Sequence, residues 1–125
     1  RLLAELDAAK EEQQLRDLVA TNVRIARILP DGVAADYDAA RLTEPAEVAL
    51  REAVEAVPAG TADQPIGEVL SRTAPVVAAA ARFFDDILVN AEDADVRAAR
   101  QGLLGSVLAL SPLGIDWKAL DTAIG

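Results

Sequence analysis

The sequence predicts an all-α fold, an antiparallel helical bundle of four to six helices, and three observations carry that expectation. Alanine supplies 27 of the 125 residues, and alanine loses no side-chain entropy in a helix. Aromatic residues make up only 3%, whereas sheets favour aromatic and β-branched side chains. Apolar residues recur at spacings of three and four between proline-containing breaks, and short breaks between helices favour antiparallel neighbours. At 125 residues the chain is one domain's worth, residues 1–125, and its 52% hydrophobic content excludes intrinsic disorder. It begins at Arg1 without a methionine, so it reads as a piece of a longer chain.

Residues 1–29 read as helix in two pieces. Leu2, Leu3 and Leu6 form one short stripe. Leu15, Leu18, Asn22, Ile25 and Leu29 form a second, within roughly 80° on a helical wheel. The polar run Lys10–Gln14 separates the two, and Pro30-Asp31-Gly32 ends the helix. Residues 31–42 form a loop carrying Tyr37. Thr43 is placed to cap a helix over 44–57, with Glu44 and Pro45 in its first turn. That helix buries Ala46, Leu50, Ala53, Val54 and Val57 and turns Glu47, Arg51 and Glu55 outward as an i, i+4 ladder.

Pro58–Pro65 is a second loop. Pro65 opens the next helix, which Pro75 kinks or restarts. From Val76 to Asn90, the residues Val76, Val77, Ala80, Phe83, Phe84, Ile87 and Leu88 share a broad apolar face, opposite Arg82, Asp85, Asp86 and Asn90. Glu92-Asp93 caps a last long helix over 94–110. Ser111-Pro112-Leu113-Gly114 stops it, and Asp116 caps a short closing turn with Trp117 and Leu120.

The chain contains no cysteine and no histidine. Disulfides, Cys/His zinc sites, and nucleophilic or proton-shuttle chemistry that needs imidazole or thiol are thereby excluded. No apolar run approaches the ~20 residues of a membrane span, and the N-terminus lacks a signal-peptide layout. The net charge of −9 argues against a general nucleic-acid binder, DNA included, because such surfaces are usually basic. The acidic residues Asp85, Asp86, Glu92, Asp93 and Asp95 lack the glycine and ligand spacing of a calcium loop and read as solvated face and helix caps.

Two groups of arginines stand out. Arg16, Arg24 and Arg27 lie within about 80° of one another, opposite the Leu15–Leu29 stripe. They form either an ordinary solvated face or a strip that contacts phosphates or bases. Arg100 falls inside an apolar stripe, at about 40° where Val96 is 0°, Val107 about 20° and Leu104 about 80°. A guanidinium there must pair or snorkel, so a structural ion pair with Asp85, Asp86 or Asp116 is expected. Phe83 and Phe84 read as core. Tyr37 and Trp117, beside loops, are the better candidates for exposed aromatics able to stack on bases.

The stretch from Phe83 to Leu104, Phe-Phe-Asp-Asp-Ile-Leu-Val-Asn-Ala-Glu-Asp-Ala-Asp-Val-Arg-Ala-Ala-Arg-Gln-Gly-Leu-Leu, resembles a pattern F-F-D-x-V-M-V-x-x-(D/E)-D-x-x-x-R-x-N-R-L-x-L-L. That pattern belongs to the C-terminal anticodon-binding domain of the bacterial glycyl-tRNA synthetase β subunit. Asn22-Val-Arg-Ile-Ala-Arg-Ile-Leu29 is similar to the family's N-K-R-V-x-N-I-L, and Leu42-Thr-Glu-Pro-Ala-Glu47 to its L-x-E-P-x-E. Gly114-Ile-Asp-Trp117 is similar to its A-D-(I/F)-S. The departures are Val23 for Lys, Arg27 for Asn, Ala99 for Asn and Gln101 for Leu.

The resemblance implies recognition of the anticodon arm of glycine tRNA, with aminoacylation on the α subunit elsewhere in a cytoplasmic α/β assembly. It also implies that ATP and magnesium serve that chemistry outside this domain, which would itself hold no cofactor, metal or catalytic residue. Candidate tRNA contacts are Arg16, Asn22, Arg24, Arg27 and Arg97. Two alternatives stay open, a helical docking or dimerisation module without an RNA role and the anticodon-binding bundle of another synthetase such as the arginyl enzyme. RNA binding requires the arginine strip to be exposed and not neutralised by carboxylates, whereas a docking module requires a contiguous apolar patch.

Overall fold

The structure, a computed structural model, describes residues 2–30 and 35–110, with side chains described from residue 8 onward. Four α-helices follow in order: α1 (Leu2–Ile28), α2 (Pro45–Glu55), α3 (Ile66–Asp86) and α4 (Ala94–Leu108). Single 3₁₀ turns at Ala39–Arg41 and Thr61–Asp63 precede α2 and α3. The architecture is the expected helical bundle. The stripe Leu2, Leu3, Leu6, the stop at Asp31-Gly32 and everything assigned to residues 111–125 lie outside the described side chains or residues.

α1 is one helix, not two. Lys, Glu and Gln are good helix formers, and Lys10–Gln13 are exposed, so this run needs no apolar phase and does not break the backbone. Its buried face is wider than one stripe: Leu18, Asn22, Val23, Ile25, Ala26 and Leu29 are all buried, because α1 packs against both α3 and α4. Leu15, expected in the core, is 41% exposed.

α2 begins one residue later than the sequence suggests. Glu44, not Thr43, is its N-cap, in a reciprocal capping box with Glu47, and Pro45 occupies the first turn. α3 runs unbroken through Pro75. Pro75 is exposed, where water can satisfy the carbonyl that lacks a proline N–H to accept from. α3 nevertheless stops at Asp86, short of Asn90, because Ile87 is extended, at φ −122° and ψ 134°. Past that point the side chains alternate, so Val89 is buried and Leu88, expected in the core, is 71% exposed. α4 starts where expected: the Asp93 carboxylate accepts from the N–H groups of Asp95 and Val96.

α3 is the central helix, flanked by α1 and α2, with α4 packed across α1 and α2. α1 and α3 run in the same direction, since Leu18 packs with Val69 and Leu70 and Arg24 meets Phe84. α2, which lies between them in sequence, packs on α3. The main core joins Ile25, Leu42, Leu50, Phe83 and Val89 to Leu103 and Leu104. α4 approaches the loop before the first 3₁₀ turn so closely that a Cβ on Gly102 would collide with the carbonyl oxygen of Asp36.

Candidate functional site

The arginine face of α1 is exposed as its spacing predicts: Arg16, Arg24 and Arg27 are all solvent-facing. Their surroundings differ. Arg16 Nη2 pairs with Glu12 Oε1, one turn earlier, at 2.5 Å, so a carboxylate already accompanies its charge. Arg27 sits in the last turn of α1, where a cation complements the negative end of the helix dipole. The Arg24 guanidinium lies 4.1 Å from the centre of the Phe84 ring. Among the described residues it has no ion pair with a carboxylate.

This contrast matters because the surface is acidic overall. Arg41 lies against Asp95, Arg51 against Glu55, Arg72 against Glu68 and Arg82 against Asp86, each at 3.3–3.6 Å. Asn22, a candidate tRNA contact from the sequence, is fully buried. It faces the core side of α1 and cannot reach a surface ligand. Arg97 is half-buried and donates to the carbonyl of Ala91 at 3.2 Å, so part of its fork holds the loop ahead of α4.

Arg100 corrects a second expectation. Its partner is Glu47 on α2, with Nε donating to Oε2 at 2.6 Å, not Asp85 or Asp86, which are exposed on α3. Asp116 lies outside the described residues. Arg100 Nη1 also donates to the Leu88 carbonyl at 2.6 Å, while the other Glu47 oxygen accepts the Glu44 N–H at 2.9 Å. Both carboxylate oxygens are thus used, which is what makes a 1%-exposed glutamate tolerable. Helical spacing alone turns Glu47 outward beside Arg51. The signal that could have placed it inward was the Glu44-x-x-Glu47 capping spacing, which bends Glu47 back over the helix start.

These contacts join three of the four stretches that carry the resemblance, the fourth lying outside the described residues. Arg24 of the 22–29 stretch touches Phe84, the second residue of the 83–104 stretch, and Glu47 of the 42–47 stretch pairs with Arg100 near the end of 83–104.

Other candidate sites carry less. A groove of about 440 Å³ between α1 and α3 is lined by Gln14, Asp17, Thr21 and small or apolar residues of α3. Among the described residues the exposed large apolar side chains are Leu15, Ile66 and Leu88. Ile66 and Leu88 stand at opposite ends of α3, about 30 Å apart, so they do not merge into one patch. Among the described residues no three His, Cys, Asp or Glu side chains gather to hold a metal ion, and no helix is long and apolar enough to cross a membrane.

No family model matches the chain, and no solved structure matches it. Curated relatives do. The chain is 43% identical over 99 residues to the glycine–tRNA ligase beta subunit of Dechloromonas aromatica, covering 74% of this chain and 14% of that protein. It is 40% identical over 110 residues to the same subunit of Xanthomonas campestris, covering 77% and 16%. With that of Anaeromyxobacter dehalogenans it is 38% identical over 128 aligned positions, covering 97% and 18%. The chain therefore spans less than a fifth of the length of these relatives.

Proposed function

Given its homology to part of the glycine–tRNA ligase beta subunit, we propose that this chain is a non-catalytic module of such an enzyme that binds the anticodon arm of glycine tRNA. In this reading glycine activation, with its ATP and magnesium, takes place elsewhere in a cytoplasmic assembly with an α subunit. The observation that carries the proposal is the state of Arg24. On an acidic chain whose other exposed arginines largely face carboxylates, it is an exposed guanidinium without a carboxylate partner among the described residues. Phosphates and base edges are what such a planar fork recognises.

The net charge of −9 then has a consistent meaning. Sequence-independent attraction to the phosphate backbone comes mainly from basic surface, so the rest of the enzyme supplies most of the affinity and this module adds local recognition. The test is binding of glycine tRNA to the intact protein that carries this chain, with and without residues 1–125. The expected result is weakened binding on deletion, with loss of discrimination against altered anticodons. Equal affinity and equal discrimination would show that the module serves another purpose, such as docking within the assembly.

A further inference from the structure

The side chains beneath Arg24 form a layered arrangement. Phe83 is fully buried in the main core. Phe84 meets it edge to face, with ring centres 6.0 Å apart at 82°, a preferred aromatic geometry that fixes the orientation of the outer ring. Arg24 reaches from the neighbouring, parallel helix α1 to cover that ring at 4.1 Å, and Arg24 itself is exposed. The guanidinium carbon therefore sits over an aromatic anchored to the core, while Arg24 stays open to solvent. This arrangement resolves two sequence expectations in an unexpected way. Phe84 is neither wholly core nor a free stacking ring, and Arg24 is more than a point charge.

We propose that Arg24 on Phe84 forms a stacking platform for one unpaired nucleobase of an RNA loop. This rests on the anticodon-arm reading above and deepens it. A guanidinium plane is an established surface for a splayed-out base, and base stacking tolerates sequence while adding useful affinity. Free arginine side chains must be ordered before they can stack, whereas this one is already positioned by its ring. The chemical class of ligand is thus an unpaired base, packed flat on the guanidinium, with the N–H edge of Arg24 left available to a neighbouring oxygen or ring nitrogen. Glycine anticodons end in two cytosines, so the occupant under the preceding reading is one of these.

The test uses the intact protein carrying this chain and glycine tRNA in which either anticodon cytosine is replaced by the fluorescent analogue pyrrolo-cytosine, whose emission falls on stacking. Parent protein should quench the probe at one of the two positions. Arg24→Lys keeps the charge but removes the plane, and Phe84→Leu keeps an apolar side chain but removes the ring. Both should lose the quench and bind roughly tenfold more weakly, with melting temperatures confirming that each is folded. If Phe84→Leu fails to fold, Arg24→Lys alone decides the matter. Parent-like affinity and quenching by Arg24→Lys would overturn the platform and leave Arg24 as a charge contact, with the anticodon-arm reading intact. Absence of quenching at both positions in a parent complex that binds tRNA would also overturn it. If deletion of residues 1–125 leaves tRNA binding unchanged, the underlying reading fails instead.

Discussion

Arg100 on α4 and Glu47 on α2 form an ion pair at 2.6 Å whose side chains are only 13% and 1% exposed. The pair ties two helices that are far apart in sequence, and through the Leu88 carbonyl it also fixes the turn that leaves α3. Removing one member of a buried pair strands the other. Arg100→Ala should therefore cost about 3–5 kcal/mol, read as a lower denaturant midpoint. Replacing both members by apolar residues, as in Glu47→Leu with Arg100→Met, should recover a substantial part of that loss. A melting curve for Arg100→Ala that overlays the parent's would contradict this assignment.

Gly102→Ala is expected to destabilise the chain by about 1–3 kcal/mol. The added methyl meets the backbone carbonyl of Asp36, and backbone cannot rotate aside as a side-chain tip can. The check is chemical denaturation of the variant beside the same change at Gly67, where a Cβ would meet only the mobile end of Glu11. The Gly102 variant should be clearly the weaker of the two.

Tyr37 supplies a pH prediction. Burial, and secondarily the Glu55 carboxylate that accepts its hydroxyl at 3.4 Å, raise its phenol above the ordinary 10.0. The folded state thus favours the protonated form. Its contribution is complete below pH 10.0 and is lost as the pH rises through the raised value. Stability should accordingly fall more steeply above pH 10.0 in the parent than in Tyr37→Phe. Phenolate absorbance, which reports the chain's single tyrosine, should show a midpoint above the ordinary value in the native protein. A midpoint at or below that value would contradict the burial argument.

Much of this structure was legible in the sequence, and the misses share a cause. The helix starts at Pro45 and Ala94 are local capping events, and capping is written in consecutive residues. The outward face of Arg16, Arg24 and Arg27 follows from a 100° rotation per residue. By contrast, helical spacing misplaces Leu88 and Glu47, because a wheel extends a helix until something stops it and ignores what lies opposite. The turn at Ile87 is held from outside by Arg100, and Glu47 is drawn inward by the same arginine. The shared direction of α1 and α3 decides that Arg24 meets Phe84, and no periodicity within either helix encodes it. Asn22, a candidate tRNA contact, lies in the Leu15–Leu29 stripe, and that stripe points it to the core.

Arg24→Ala should leave the fold nearly intact. An exposed cation–π contact is worth about 0.5–1 kcal/mol, and truncation on the solvent side opens no cavity. The melting temperature should drop only slightly, which makes this variant suitable for a functional test.

The most direct measurement compares intact parent protein and Arg24→Ala for binding glycine tRNA and the same tRNA with one anticodon cytosine replaced. If the exposed Arg24 face meets the anticodon, the variant binds glycine tRNA more weakly by about 1–3 kcal/mol and discriminates less between the two tRNAs. Equal affinity and equal discrimination by the two proteins would make Arg24 an ordinary surface arginine and contradict the proposed role of this face.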